Sequence, residues 1–130
     1  MKLRHLLLFL YTILSGCSFQ QKLSCVYVPV ETENNKYPEL TQFDNCGTLS
    51  SENLVSLHKK HLDTIWFNED GLAEIRIYDG IYYVSKQGQL VQTHLFDNGA
   101  DYFQEGMART IRHNHYGFID KNLNIVIVKM

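Results

Sequence analysis

The feature that most constrains this chain is an internal repeat with an offset of 35 residues. Gly71 aligns with Gly106 at that spacing. The same offset pairs Leu72 with Met107, Ala73 with Ala108, Tyr83 with Phe118, Val84 with Ile119, Lys86 with Lys121, Leu90 with Ile125, and Val91 with Val126. Repeats of this length are typically supersecondary units that pack against their neighbours. Residues 66–130 are therefore predicted to form two similar units, 66–100 and 101–130.

The first unit has the alternation of a half-buried strand. Its stretch LAEIRI places Ala73, Ile75 and Ile77 on one side of the strand and charged residues on the other. Asp79-Gly80 is a strong hairpin signal, because both central residues of a type I′ turn need positive φ. The return strand IYYV, a second turn and QLVQ complete a three-stranded antiparallel meander.

The segment ahead of the repeats, residues 17–65, is predicted to contribute one strand and one short helix. Residues 23–30, LSCVYVPV, are rich in β-branched and aromatic side chains and indicate a strand, and the polar residues 31–40 indicate a loop. A helix is predicted over 50–65, capped by Ser50 or Ser51, because one helical face would collect Leu54, Leu57, His58, His61 and Leu62. The two histidines fit a helix edge packed on the sheet, with a shared metal as the alternative. The predicted fold class is mainly β (α+β), two antiparallel β-meander repeats preceded by a strand and one short helix.

The second unit, FQEGMARTIRHNHYGFIDKNLNIVI, resembles the WG-repeat family, whose units carry F-x-E-G-L-A, W-G-Y/F-I-D and I-V-I segments. The matching residues are Phe103, Glu105, Gly106, Ala108, Gly117, Phe118, Ile119, Asp120, Ile125 and Ile127, while Tyr116 replaces the tryptophan. The first unit keeps Gly71 and Ala73 but has Ile81 and Tyr82 in place of the W-G pair and Ser85 in place of the aspartate. The resemblance covers residues 67–128 and implies a β-repeat array without catalytic residues. Its glycines allow unusual backbone, its aromatic and aliphatic positions fill the core, and Asp120 closes a turn.

The N-terminal run RHLLLFLYTILSGC is too short to span a membrane as a helix, which needs roughly 20 apolar residues. A positive start, an apolar centre and small residues at the end are typical of a secretory signal. Leu14-Ser15-Gly16-Cys17 resembles the lipobox of bacterial lipoprotein precursors. The resemblance implies that residues 1–16 are removed as a signal peptide and that Cys17 carries the lipid that holds the protein on the membrane. An ordinary signal peptide and a buried N-terminal helix are the alternatives.

These features predict a lipid-anchored protein of the bacterial cell envelope, with its domain in the periplasm or at the surface. Ser18 follows the cysteine where an aspartate would resemble an inner-membrane retention signal, which favours the outer membrane. In that oxidising space Cys25 and Cys46 are predicted to form a disulfide, with two reduced thiols as the alternative.

Charge and motifs exclude several functional classes. Removal of Lys2 and Arg4 leaves ten basic against fourteen acidic residues, a net charge of −4, so no nucleic-acid partner is expected. No nucleophile elbow, phosphate-binding loop or paired-carboxylate spacing appears, and no cofactor or catalytic residue is assigned. The acidic stretch DNGAD, residues 97–101, lacks the ligand spacing of an EF-hand and indicates a polar turn between the units.

Two functional classes remain. The first is a non-catalytic interaction or envelope-associated module that binds a protein partner or itself, with tyrosines as anchors: Tyr78, Tyr82, Tyr83, Tyr102 and Tyr116. The second is a small metal-binding or hydrolytic lipoprotein that uses His113 and His115, which share a face if the backbone is extended.

Lipidation at Cys17 is directly testable. The change Cys17→Ala is expected to leave an unprocessed or soluble species, because the thiol that receives the lipid is gone. Labelling of the expressed protein with a palmitate analogue measures this. Label that persists in the variant would contradict the lipobox assignment.

Overall fold

The structure, a computed structural model, describes residues 20–78, 80–112 and 114–129. Its elements are β1 (Gln21–Tyr27), β2 (Thr41–Leu49), β3 (Val55–Leu57), α1 (Lys59–Leu62), β4 (Leu72–Ile77), β5 (Gly80–Ser85), β6 (Leu90–Thr93), β7 (Leu95–Phe96), β8 (Gly99–Ala100), β9 (Met107–Arg112), β10 (His115–Asp120) and β11 (Ile125–Lys129). Nine strands form one antiparallel sheet in the order β11-β10-β9-β6-β5-β4-β1-β2-β3, and β7 pairs with β8. The mainly β class is confirmed.

Two three-stranded meanders, β4–β5–β6 and β9–β10–β11, make up most of the sheet. Each strand of the second begins 35 residues after its counterpart in the first: Met107 against Leu72, His115 against Gly80, and Ile125 against Leu90. The meanders join where Thr93 of β6 pairs with Thr110 of β9. The sequence periodicity thus coincides with a periodicity of strands.

The turns that close the two meanders use equivalent contacts. Ser85 Oγ accepts a hydrogen bond from the Gln89 N–H at 3.1 Å, and Asp120 Oδ1 accepts one from the Asn124 N–H at 2.9 Å. The left-handed residue is Gly88 in the first turn and Leu123 in the second. A leucine in this region costs roughly 1–2 kcal/mol. The cost is offset because the Leu123 side chain is buried in a core, where burial contributes about 1.5–3 kcal/mol.

Strand β5 is buried on both faces of the sheet. Tyr82 and Val84 pack on what we call the first face, and Ile81 and Tyr83 on the second. The core of the first face contains Leu23, Cys25, Tyr27, Cys46, Ile65, Ala73, Ile75, Ile77, Tyr82 and Val84. The core of the second face contains Leu72, Ile81, Tyr83, Ala100, Ala108, Ile119 and Leu123. The predicted inward side of β4, with Ala73, Ile75 and Ile77, therefore belongs to the first core.

The N-terminal segment supplies the cover of the first core. Cys25 on β1 and Cys46 on β2 lie at bonding distance, with 6.0 Å between their Cα atoms, which is within the range that a disulfide spans. Both side chains are buried, and the same core takes Ile65 from the residues after α1. The pair fastens the two N-terminal strands where they cover the first meander.

The helix predicted over 50–65 is wrong in extent, because the chain there forms β3 and then only the four residues of α1. Val55 and Leu57 are two apart, which satisfies strand alternation as well as a helical face, and β3 pairs with β2. Ser50 does act as a cap, but of a turn: its Oγ accepts hydrogen bonds from the N–H groups of Glu52 and Leu54. Asn53 in this turn has a left-handed φ of 60°, which ends any helix.

Three other local expectations need correction. The strand predicted over 23–30 is β1 and ends at Tyr27. Strand β2 was not predicted, because its sequence TQFDNCGTL is largely polar. Gly80 lies in β5 opposite Ile77, so it belongs to the strand and is not the central turn residue that the Asp79-Gly80 signal predicts, and Asp79 lies outside the described residues.

The predicted signal segment 1–16 and Cys17 also lie outside the described residues. In the part of the chain that is described, no helix is long and apolar enough to cross a membrane.

The closing turns predict the cost of losing Asp120. Its Oδ1 accepts hydrogen bonds from the N–H groups of both Asn122 and Asn124 at 2.9 Å. Asp120→Ala is expected to lower the free energy of unfolding by about 1–2 kcal/mol, and the equivalent Ser85→Ala by about half that. Chemical denaturation measures both. Asp120→Asn, which keeps an acceptor, serves as the control, and equal losses in Asp120→Asn and Asp120→Ala would contradict this role.

Candidate functional site: an aromatic patch on the second meander

The candidate site lies on the first face of the sheet, on strands β9 and β10. Phe118 lies directly opposite Arg109, and Tyr116 directly opposite Ile111. Residues directly opposite one another in an antiparallel pair share a face. The next residues along each strand, including Ala108 and Ile119, point into the second core. The alternation thus places two aromatic rings and one guanidinium on the outward side.

The guanidinium of Arg109 is fixed by Asp101. Arg109 Nε and Nη2 donate to the two carboxylate oxygens at 3.1 and 2.8 Å, and the Arg109 backbone N–H donates to Oδ2 at 2.8 Å. The side-chain hydrogen bond from Arg109 holds the pKa of Asp101 below its ordinary value, although partial burial opposes this. The pair is therefore ionised at neutral pH, and the charge of Arg109 is balanced at the surface.

Two further rings surround this ion pair. The guanidinium carbon of Arg109 lies 5.6 Å from the centroid of the Phe96 ring, a cation–π distance. Phe96 and Tyr102 meet edge to face at 5.8 Å. We call Phe96, Tyr102, Arg109, Tyr116 and Phe118 the aromatic patch. Beside it lies an open groove of about 460 Å³, whose lining includes Tyr102, Arg109 and Phe118.

The hairpin β7–β8 positions Phe96. Asp97 and Asn98 both have left-handed φ, 48° and 67°, as the central residues of a two-residue hairpin require. The acidic stretch 97–101 therefore has two roles. Its first residues form the predicted polar turn, and Asp101 binds Arg109. No sequence pattern indicates the second role, because Asp101 follows β8 whereas Arg109 lies within β9.

His94 is a second residue that the sequence analysis missed. Its ring lies 5.9 Å from that of Tyr116. Its Nδ1 is the one buried side-chain nitrogen or oxygen without a hydrogen-bond partner among the described residues. The backbone of His94 links Asp101 to Arg109: its N–H donates to Arg109 O, and its C=O accepts from the Asp101 N–H.

The five tyrosines predicted as anchors separate into two groups. Tyr78, Tyr102 and Tyr116 are exposed, whereas Tyr82 and Tyr83 are buried in the first and second cores. The two buried tyrosines are therefore wrong as anchors, because β5 has no exposed face. Tyr83 instead supports the patch from below, since its hydroxyl donates to Asp101 O at 2.7 Å.

The residues of the WG-like motif also separate into two groups, those in turns or cores and those at the surface. Gly71 and Gly106 have φ of 73° and 79° in turns, Ala73, Ala108, Gly117 and Ile119 are buried, and Asp120 closes its turn. Tyr116 and Phe118, expected to fill the core, lie at the surface. That expectation is wrong because the described part of the chain covers their face only in part, which leaves Tyr116 55% and Phe118 37% exposed.

The histidines do not form a described metal centre. His113 lies outside the described residues, and His115 is exposed at the start of β10. His61 is buried and bonds through Nδ1 to the Tyr27 hydroxyl at 2.8 Å. Across the described ranges, no group of three or more His, Cys, Asp or Glu side chains is placed to hold a metal ion.

Comparisons with known proteins do not place the chain in a family. No protein-family model matches it, and no curated protein or solved structure matches it either. The similarities to WG repeats and to lipoprotein precursors therefore stay predictions drawn from the residues themselves.

The Asp101–Arg109 pair predicts a pH dependence. Because the folded-state pKa of Asp101 is lowered, its contribution to stability is present above the ordinary value of 3.8 and is lost as pH falls through and below it. Asp101→Asn is expected to be less stable at pH 7 and to lose less stability on acidification than the wild type. Thermal unfolding between pH 7 and pH 3 measures the difference, and parallel curves for the two proteins would contradict the assignment.

Proposed function

We propose that this protein is a lipid-anchored lipoprotein of the bacterial cell envelope, built on WG-like repeats, that acts as a non-catalytic protein-interaction module. The lipobox-like Leu14–Cys17 segment supports the anchor, and Ser18 after it favours an outer-membrane location. The aromatic patch is the surface through which it binds protein.

One comparison carries the interaction role: equivalent positions of the two meanders differ sharply in exposure. Ile81 is 4% exposed, and Tyr116, 35 residues later, is 55% exposed. Tyr83 is 5% exposed, and Phe118, again 35 residues later, is 37% exposed. Ile81 and Tyr83 thus occupy the same positions in the first meander as Tyr116 and Phe118 in the second, yet only the residues of the first meander are buried.

The second meander covers Ile81 and Tyr83. Ile81 and Tyr83 pack in the second core with Ala108, Ile119 and Leu123. Tyr116 and Phe118 belong to neither of the two cores that the described residues form. An apolar face that is buried in one unit and uncovered in the next is a typical interaction surface.

A second copy of the chain fits this face by charge and by composition. Arg109 is the charged residue of the patch and is already paired with Asp101, so two patches can meet without an unpaired charge at the centre. Aromatic residues and arginine are enriched at the centres of protein interfaces. Lipid anchoring would also confine copies to one membrane and raise their effective concentration.

Self-association of the soluble form that starts at Ser18 tests the proposal. The wild type is expected to show a concentration-dependent shift from monomer to dimer in analytical ultracentrifugation. Tyr116→Ser with Phe118→Ser is expected to weaken the dimer at least tenfold, since rings at interface centres contribute about 1–2 kcal/mol or more each. Tyr78→Ser is the control, because Tyr78 is exposed and lies outside the patch, between β4 and β5.

Two results would count against the proposal. A wild type that stays monomeric at every accessible concentration contradicts self-association through the patch. A dimer that Tyr78→Ser weakens as much as the double change moves the interface away from the patch. Circular dichroism of each variant establishes that the sheet is retained.

A further inference from the structure

A second surface lies at the other end of the sheet, on the N-terminal segment. It is an open groove of about 700 Å³ between the residues after β1, strand β2 and helix α1. Nine of its twelve lining residues carry hydrogen-bonding side chains: Thr32, Asn35, Thr41, Asp44, Asn45, His58, Lys60, His61 and Thr64. The other three are Pro29, Val30 and Phe43. This groove shares no residue with the aromatic patch.

A chain of hydrogen bonds beneath the groove fixes the orientation of His61. Tyr27 Oη lies 2.8 Å from His61 Nδ1 and 3.2 Å from Thr64 Oγ1. Thr64 Oγ1 in turn donates to the backbone carbonyl of Lys60 at 3.0 Å. Burial raises the pKa of Tyr27, so its hydroxyl keeps its proton.

The direction of these bonds follows from the carbonyl. A carbonyl oxygen only accepts, so the Thr64 hydroxyl proton is used there and Thr64 Oγ1 accepts from Tyr27. The Tyr27 proton is then used on Thr64, so His61 Nδ1 must be the donor to Tyr27. For a neutral ring this is the one arrangement in which all three contacts are hydrogen bonds, and burial holds the pKa of His61 below its ordinary value, which favours the neutral ring.

His61 is therefore the Nδ1–H tautomer, and its Nε2 carries a lone pair. His61 lines the groove, and because Nδ1 is engaged with Tyr27, Nε2 is the ring nitrogen left to bond a ligand. Such a nitrogen accepts a hydrogen bond from a hydroxyl or an N–H group.

The remaining lining indicates which ligand supplies that hydroxyl. Lys60 and Asp44 are of opposite charge, so the groove favours neither anions nor cations. The Phe43 ring is held by stacking on Tyr27 at 4.3 Å between centroids, which gives a rigid apolar wall. The amides and hydroxyls of Asn35, Thr32 and their neighbours add both donors and acceptors.

We propose that this groove binds a neutral saccharide, with a sugar hydroxyl donating to His61 Nε2 and an apolar sugar face against Phe43. The groove has a volume typical of ligand sites, and because it is open, a short oligosaccharide segment can lie in it with its ends in solvent. Tyr27 is a positioning residue, because it acts on the ligand through His61. The inference does not depend on self-association through the aromatic patch.

Titration of the soluble chain from Ser18 with N-acetylchitotriose and maltotriose, followed by NMR of backbone and histidine ring nitrogens, tests the proposal. Shifts confined to the groove residues are expected for at least one of the two. His61→Phe, which keeps an aromatic ring, is expected to weaken binding about tenfold, the loss that one hydrogen bond gives. Asn35→Ala is a second probe that leaves the backbone bonds with Thr32 intact.

The positioning role has its own readout. In the wild type the His61 ring is expected to show protonated Nδ1 and unprotonated Nε2, and Tyr27→Phe is expected to mix the two tautomers and to weaken binding. Tyr116→Ser with Phe118→Ser should bind the saccharide as the wild type does, which separates this inference from the dimer.

Three outcomes would overturn the proposal. The first is the absence of shifts with both saccharides up to their solubility limits. The second is tighter binding of inorganic phosphate than of either saccharide, which would assign the groove to anions. The third is an Nε2–H tautomer in the wild type.

Discussion

The burial of β5 on both faces is the constraint on which the rest of this structure depends. Its four central residues alternate between two cores, so each face of the first meander must be covered by a different part of the chain. The N-terminal strands cover one face and the second meander covers the other. A strand with large apolar side chains on both faces needs a covering element on each face, because an uncovered face would expose a side chain such as Tyr82 or Tyr83.

The same constraint explains why the second meander differs from the first although their sequences align. Equivalent inward residues, Val84 and Ile119, lie in different cores and hence on opposite faces of the sheet. In each meander, therefore, the face opposite these inward residues needs a further part of a protein to cover it. For the first meander that cover exists, whereas the outward face of the second carries the aromatic patch. The different cover of the two meanders thus accounts for the proposed binding surface.

Much of this could be predicted from the sequence, and the rest could not for physical reasons. The offset of 35 residues located both meanders because turn glycines and core residues recur at that spacing. It could not locate β2, whose stability comes from pairing with β1 and from Cys46, or distinguish β3 from a helix, since Val55 and Leu57 fit both periods. The pairing of Asp101 with Arg109 depends on a hairpin that lies between the repeats, and the exposure of Phe118 depends on a cover that no local pattern encodes.

The most direct test of this account is site-specific photo-crosslinking of the full-length protein expressed in cells. A photoreactive phenylalanine analogue replaces Tyr116 in one strain and Tyr78, an exposed tyrosine outside the aromatic patch, in a second. The account predicts a crosslinked product of twice the protomer mass from position 116 and none from position 78. Equal yields from the two positions, or no dimer from position 116, would contradict the claim that the uncovered face of the second meander is the surface through which this protein binds its partner.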